Sequence, residues 1–182
     1  PGPEPRINGP RVYGARPGRP FLYRIPCTGT RPIELQATEL PAGLRLDSET
    51  GIITGRVPDE RGEWVATLKA TNGHGSDERS LRIVVGDTLA LTPPMGWNSW
   101  YIHYHHVTEQ HMRNAADVMV ESGMADYGYA YVNIDDCWMK KRGDEPYRDG
   151  DGAILPNEKF PDIEGMVEYI HSKGLKAGLY TS

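Results

Sequence analysis

Two adjacent carboxylates, Asp135 and Asp136, close the run Ala130-Tyr-Val-Asn-Ile-Asp-Asp-Cys-Trp138. Tyr131, Val132 and Ile134 read as a buried strand covered on both faces, with its charged tip where a loop begins. Charges placed at such a tip need partners or a ligand. Trp97 and Tyr180 lie in two further short apolar segments, Met95-Gly-Trp-Asn-Ser-Trp100 and Lys176-Ala-Gly-Leu-Tyr180. A carboxylate accepts hydrogen bonds from neighbouring hydroxyls, and an indole face covers the apolar C–H side of a sugar ring. Trp97, Asp135, Asp136 and Tyr180 therefore make a polyol-binding set, provided the fold gathers them at one mouth.

The elements between these segments supply that fold. Thr108 can N-cap a helix whose apolar stripe is Met112, Ala115, Ala116, Met119 and Val120, with Gly123 at its C-terminal stop. A polar loop rich in Gly and Asp runs from Lys140 to Lys159. A second helix starts near Asp162, buries Ile163, Met166, Val167 and Ile170, and ends at Lys173 and Gly174. The order strand, helix, strand, helix, strand implies a parallel sheet with right-handed crossovers, in which functional groups collect beyond the C-terminal strand ends.

The first half follows another pattern. Residues 1–20 form a Pro/Gly-rich leader, expected to be extended and partly mobile. Phe21, Tyr23 and Ile25, then Trp64, Ala66, Leu68 and Ala70, then Leu81, Ile83 and Val85 alternate with more polar neighbours as half-buried strands do. Gly29, Pro41-Ala-Gly43, Thr50-Gly51, Gly55, Pro58 and Asn72-Gly-His-Gly75 punctuate them at the spacing of a small all-β sandwich. Tyr13, Tyr23 and Trp64 could offer stacking faces to a carbohydrate; the simpler reading puts Trp64 in the sandwich core. Asp47, Asp59, Asp77 and Asp87 lack the spacing of a calcium site. Residues 87–94, with Pro93 and Pro94, are a linker.

The stretch from Leu40 to Gly55, with Ala70-Thr-Asn-Gly-His-Gly75, resembles the immunoglobulin-like, cadherin-like modules attached to secreted bacterial glycosidases. That resemblance covers residues 8–86 and implies a spacer more readily than a binding module. Met95-Gly-Trp-Asn-Ser-Trp100, Tyr131-Val-Asn-Ile-Asp-Asp-Cys-Trp138, Phe160-Pro161 and His171-Ser-Lys-Gly-Leu-Lys-Ala-Gly-Leu-Tyr180 together resemble the start of glycoside hydrolase family 27, the α-galactosidases. The two resemblances imply a multidomain chain. An all-β immunoglobulin-like sandwich would be followed, over residues 95–182, by the first three βα units of a truncated (β/α)8 TIM barrel.

By motif position, Trp97 resembles the family's sugar-stacking tryptophan, Asp135 and Asp136 the pair holding the galactose 4- and 6-hydroxyls, and Tyr180 a tyrosine lining the same pocket. The resemblance further implies a retaining hydrolase of terminal α-galactosyl residues, whose nucleophile and acid/base are expected beyond Ser182. Asp135 and Asp136 are not expected to be that catalytic pair, because sequence neighbours at one strand tip approach one side of a sugar rather than flank a bond. The family's partner cysteine for Cys137 is missing from the loop after the first strand, so Cys137 is expected to be a free, buried thiol. A fragment of this kind is expected to be inactive alone. A non-catalytic carbohydrate-binding or interaction protein, or a relative acting on α-N-acetylgalactosamine or β-L-arabinopyranose, is the alternative.

Charge excludes one class of partner. The chain of 182 residues has net charge −5, and its second half carries eight Lys and Arg against fourteen Asp and Glu. That gives no footprint for a nucleic-acid backbone. No apolar run approaches a membrane span, and no cofactor or metal is expected. His103, His105, His106 and His111 lack the spacing of a metal site and read as a rim loop. Two cysteines are too few for a disulfide framework. The opening without Met or a signal peptide suggests a processed or truncated N-terminus of a secreted or periplasmic protein. Oligomeric state stays open.

Overall fold

The computed structural model describes residues 2–181. They form two compact units: residues up to Met95 together with Val120–Ala130, and Gly96–Met119 together with the residues from Tyr131 onward.

The first unit holds β1 (Arg6–Ile7), β2 (Val12–Ala15), β3 (Pro20–Arg24), β4 (Cys27–Thr28), β5 (Glu34–Thr38), β6 (Leu44–Asp47), β7 (Ile52–Arg56), β8 (Gly62–Asn72) and β9 (Gly75–Val85). One sheet has the order β2-β9-β8-β5 and another β3-β7-β6, while β1 pairs with β4. The long β8–β9 hairpin runs in unbroken register from Gly62 opposite Val85 to Asn72 opposite Gly75. Its turn is closed by Asn72 Oδ1, which accepts from the His74 amide at 2.8 Å. Alternation sends Ala66, Leu68, Ala70, Leu81, Ile83 and Val85 inward, where most of them meet Phe21, Tyr23, Ile25 and Ile53 in one core.

The three aromatic candidates for carbohydrate stacking belong to this core. Tyr23 is buried, and Tyr13 and Trp64 pack against the cluster. Burial pushes the Tyr23 phenol up to about 12, partly opposed by Arg79. The Pro/Gly-rich opening is extended as expected and is also part of the sandwich. It supplies β1 and the edge strand β2, which pairs in parallel with β9, and it buries Ile7 and Ala15. Edge positions tolerate the prolines around them because an edge strand leaves amides unpaired. Val120–Ala130 packs in this unit as well. Asn8 Nδ2 donates to the Asp126 carbonyl at 2.9 Å, and Arg31 Nη2 meets Asp126 Oδ2 at 2.9 Å.

The second unit is organised on three parallel strands, β10 (Gly96–Asn98), β11 (Tyr131–Ile134) and β12 (Lys176–Leu179), in the order β10-β11-β12. The helices are α1 (Trp100–His103), α2 (Glu109–Glu121) and α3 (Ile163–Ser172). Thr108 Oγ1 accepts from the His111 amide at the start of α2, and Asp162 Oδ1 accepts from the Gly165 amide to cap α3. Met112, Ala116 and Met119 of α2, and Met166 and Ile170 of α3, are buried. Gly123 at φ +81° and Gly174 at φ +76° follow the two helices in the left-handed conformation that stops a helix.

Central strand β11 alternates rather than being buried on both faces: Val132 and Ile134 are fully buried, whereas Tyr131 and Asn133 are half-buried. Gly96 admits β10 to its place, because a Cβ there would collide with the Tyr131 carbonyl. Asp117 of α2 ties the two helices together, accepting from the Tyr169 hydroxyl at 2.7 Å and from Lys173 Nζ at 2.5 Å. Lys173 and then Tyr169 hold the Asp117 carboxyl below its usual range. A lowered carboxyl pKa contributes stability that is present above about pH 4 and lost as pH falls below it. With its side chain about a third exposed, Asp117→Asn should cost about 1 kcal/mol at neutral pH after allowance for solvent screening. The penalty should fade below about pH 4 in denaturant titrations, and a penalty independent of pH would refute this.

Candidate functional site

The site is built where β11 ends. Register sets Asn98 beside Asn133 and Ile134 beside Leu179, so Asp135 and Tyr180 are the first residues past two neighbouring strands. Ser99 and Trp100 stand past the end of the third. Four hydrogen bonds then fix the tip, three of them to carboxylate oxygens. Asn98 Nδ2 donates to Asp135 Oδ2 at 2.9 Å, and the Asp136 amide donates to Asp135 Oδ1 at 2.9 Å. Ser99 Oγ, on a fully buried residue, accepts from the Asp135 amide at 3.0 Å, and Asp136 Oδ1 accepts from the Cys137 amide at 2.6 Å.

Asn98 is itself held by the Trp100 amide, which donates to Asn98 Oδ1 at 2.9 Å. That bond assigns the oxygen end of the side-chain amide and so turns the nitrogen toward Asp135. The turn beyond Asp136 is tight. Cys137 adopts φ +72°, uncommon for a residue other than glycine, and is a free thiol, half-buried where a buried one is expected. Trp138 is buried, and its Nε1 donates to the Tyr180 carbonyl at 2.7 Å, fastening the ends of β11 and β12 together.

Asp135, Asp136 and Tyr180 thus stand past the ends of two neighbouring strands, whereas Trp97 lies within β10. It pairs with Val132, two residues before the β11 end and on the fully buried side of that strand's alternation. Its ring meets His103 edge-on at 5.9 Å, and His103 stacks on His111 of α2 at 4.0 Å. Burial, then His111, holds the His103 imidazole below its usual pKa and so favours the neutral ring. Trp100 is the tryptophan beyond the end of β10, as Asp135 is beyond the end of β11, and it is half-buried and edge-on to Tyr104 at 5.5 Å.

Sequence reasoning missed Asn98, Ser99, Trp100 and Trp138. Two polar residues directly after an apolar strand were the available signal for the first pair. Among the described residues, no group of three or more His, Cys, Asp or Glu stands together as a metal site would require. What this tip can do chemically is accept. Each carboxylate has roughly four lone-pair sites, so acceptor capacity remains on both after the internal bonds are made.

The loop after the tip is ordered by its own hydrogen bonds. Lys140 N donates to Leu155 O, Asn157 N to Trp138 O, and Asn157 Nδ2 to Cys137 O, each at 2.9 Å. The loop forms one wall of a pocket of about 950 Å³ that Asp136 and Cys137 also line.

Comparison with known proteins agrees with this arrangement. Residues 92–182 match the family of alpha galactosidase A, and residues 4–86 match an Ig domain family. An alpha-galactosidase of Coffea arabica is 42% identical over 109 residues, covering 59% of this chain and 28% of that protein. Alpha-galactosidase A of Cellvibrio japonicus is 45% identical over 97 residues, covering 52% of this chain and 22% of the relative. The chain therefore spans less than a third of the length of these relatives. Among solved structures, a candidate alpha-galactosidase/melibiase from Bacteroides fragilis superposes with a TM-score of 0.89 at 49% identity. That match covers 98% of this chain and 37% of the other. A glycosidase unit behind an Ig-like unit is thus a multidomain arrangement found elsewhere, and the chain belongs to the alpha galactosidase A family.

Proposed function

We propose that the whole protein is a retaining α-galactosidase, and that this chain supplies the part of its pocket that recognises the sugar. The observation that carries the reading is the strand tip itself: adjacent carboxylates, oriented by Asn98 and by two backbone amides, keep acceptor sites open. Galactose presents hydroxyls that such acceptors fit, and Asp135, Asp136 and Tyr180 are the residues we assign to it. For the stacking face we assign Trp100, which follows the end of β10 as Asp135 follows the end of β11, in place of Trp97.

The nucleophile and the acid/base would come from the larger part of the relatives' length that this sequence does not span. Asp135 and Asp136 fit recognition better than catalysis, because both leave the same strand tip and approach one side of a ring. The three parallel strands would be the opening strands of the barrel that such an enzyme needs. The sandwich, whose aromatic residues are spent on its own core, would be a spacer. Export from the cytoplasm fits the secreted glycosidases that carry similar modules.

The test uses the whole protein with nitrophenyl α-galactoside, α-N-acetylgalactosaminide and β-L-arabinopyranoside, with product anomers followed by NMR. The reading predicts fastest release from the α-galactoside with the α-anomer formed first. Faster cleavage of either other sugar would move the substrate within the family, and first release of the β-anomer would overturn the mechanism.

A further inference from the structure

The pocket beside Asp136 carries charge of the opposite sign to the rest of its half of the chain. Five of the eight Lys and Arg residues after position 88 line it: Lys140, Lys141, Arg142, Arg148 and Lys159. None of the five forms an ion pair with a carboxylate among the described residues, although six ion pairs occur elsewhere. Asp136, Asp144 and Glu158 are the carboxylates on its walls. Asp136 belongs to the sugar tip, and Asp144 accepts from the Lys141 amide at 3.2 Å.

Three of the cations are anchored through backbone carbonyls. Lys159 Nζ donates to His105 O at 2.7 Å, Arg148 Nη1 to Gly152 O at 2.7 Å, and Lys140 Nζ to Pro146 O at 3.2 Å. A lysine ammonium has three N–H donors and a guanidinium five, so each anchored side chain keeps donors to spare. Anchoring removes part of the entropy that a free surface lysine would lose on meeting a ligand. Five cations against three carboxylates leave the walls with a positive surplus, which favours an anion.

We propose that this pocket receives an anionic group, a carboxylate or a sulfate ester, on the sugar to which the galactosyl residue is attached. The inference rests on the reading of Asp136 as a galactose ligand, because Asp136 also lines the pocket that carries the basic residues. A neutral partner sugar would leave that positive surplus unused, whereas a uronate or sulfated sugar gains charge-assisted hydrogen bonds from it. Lys141 and Arg142, both exposed, are the members that meet the anion from the solvent side.

The experiment is calorimetric titration of the whole protein with three disaccharides made resistant to hydrolysis by a sulfur in place of the glycosidic oxygen: neutral α-galactosyl glucose, α-galactosyl glucuronic acid and a sulfate ester of α-galactosyl glucose. At least one charged ligand should bind about tenfold more tightly than the neutral one, with the advantage shrinking as salt is raised. The doubly substituted protein, Lys141→Gln with Arg142→Gln, should cut that advantage to about twofold, and surface substitutions of this kind leave folding intact. Which ligand gains identifies the group as carboxylate or sulfate.

Equal binding of all three ligands, or an advantage untouched by the double substitution, overturns the proposal. The two readings fail separately. A charge preference without hydrolysis of any galactoside removes the galactosidase and keeps the anion pocket. Hydrolysis without a charge preference does the reverse.

Discussion

Asp135→Ala in the whole protein should lower kcat/KM for an α-galactoside by about 10³-fold, with the folded state retained. Asp135 is the centre of the tip, with one oxygen accepting from Asn98, the other from the Asp136 amide, and its own amide donating to Ser99 Oγ. Truncation removes an acceptor of substrate hydroxyls and also leaves the Asn98 amide and the Asp136 N–H without their partner. A site that hydrogen-bonds a hydroxyl discriminates strongly because an unmatched group on either side is costly when water is excluded. The loss should appear in kcat as well as KM, because a sugar held loosely is poorly placed for any nucleophile. Thermal unfolding of the variant should stay near wild type, since Asp135 is half-exposed and outside the buried core. A variant with nearly full kcat/KM would remove Asp135 from substrate recognition.

The second large effect separates two tryptophans only three positions apart. Trp100→Ala should reduce kcat/KM on the order of 30-fold, the cost of losing an aromatic stacking face. Trp97→Ala should instead lower the unfolding temperature and leave the kinetic constants of the folded protein within about threefold, because the ring sits within β10 and meets His103 edge-on. The division follows from register. Trp97 lies beside Val132 within the sheet, edge-on to His103, whereas Trp100 comes two residues after the end of β10 and opens α1. The opposite outcome, a catalytic loss at Trp97 and none at Trp100, would restore Trp97 as the stacking residue.

Much of this was legible before any coordinates. Thr108 and Asp162 announced the two helix starts, and the periodic Met, Ala and Ile positions announced their buried faces, because caps and a 3.6-residue period are local properties. Asp135 and Asp136 were legible because charges that end an apolar run have few structural excuses. Trp97 was misplaced for a definable reason. The sequence shows that an aromatic lies near a strand end, but which face it takes depends on pairing with Val132 on a strand 35 residues away. Asn98 and Ser99 escaped notice because their role exists only across strands. The basic pocket was hidden in the same way: Lys140-Lys141-Arg142 reads as a solvated loop until Arg148 and Lys159 are seen on the same walls. The extended opening became two sandwich strands through partners far away in sequence.

The measurement that bears most directly on the sugar tip is the ratio of kcat/KM for matched α-galactoside and α-glucoside substrates, taken on the whole protein and on Asp136→Asn. These sugars differ at one hydroxyl, the group that paired acceptors would read. The account predicts a ratio on the order of 10³ or more in the wild type and a collapse of that preference in the variant. A ratio near one, or a large ratio unchanged by Asp136→Asn, would contradict it.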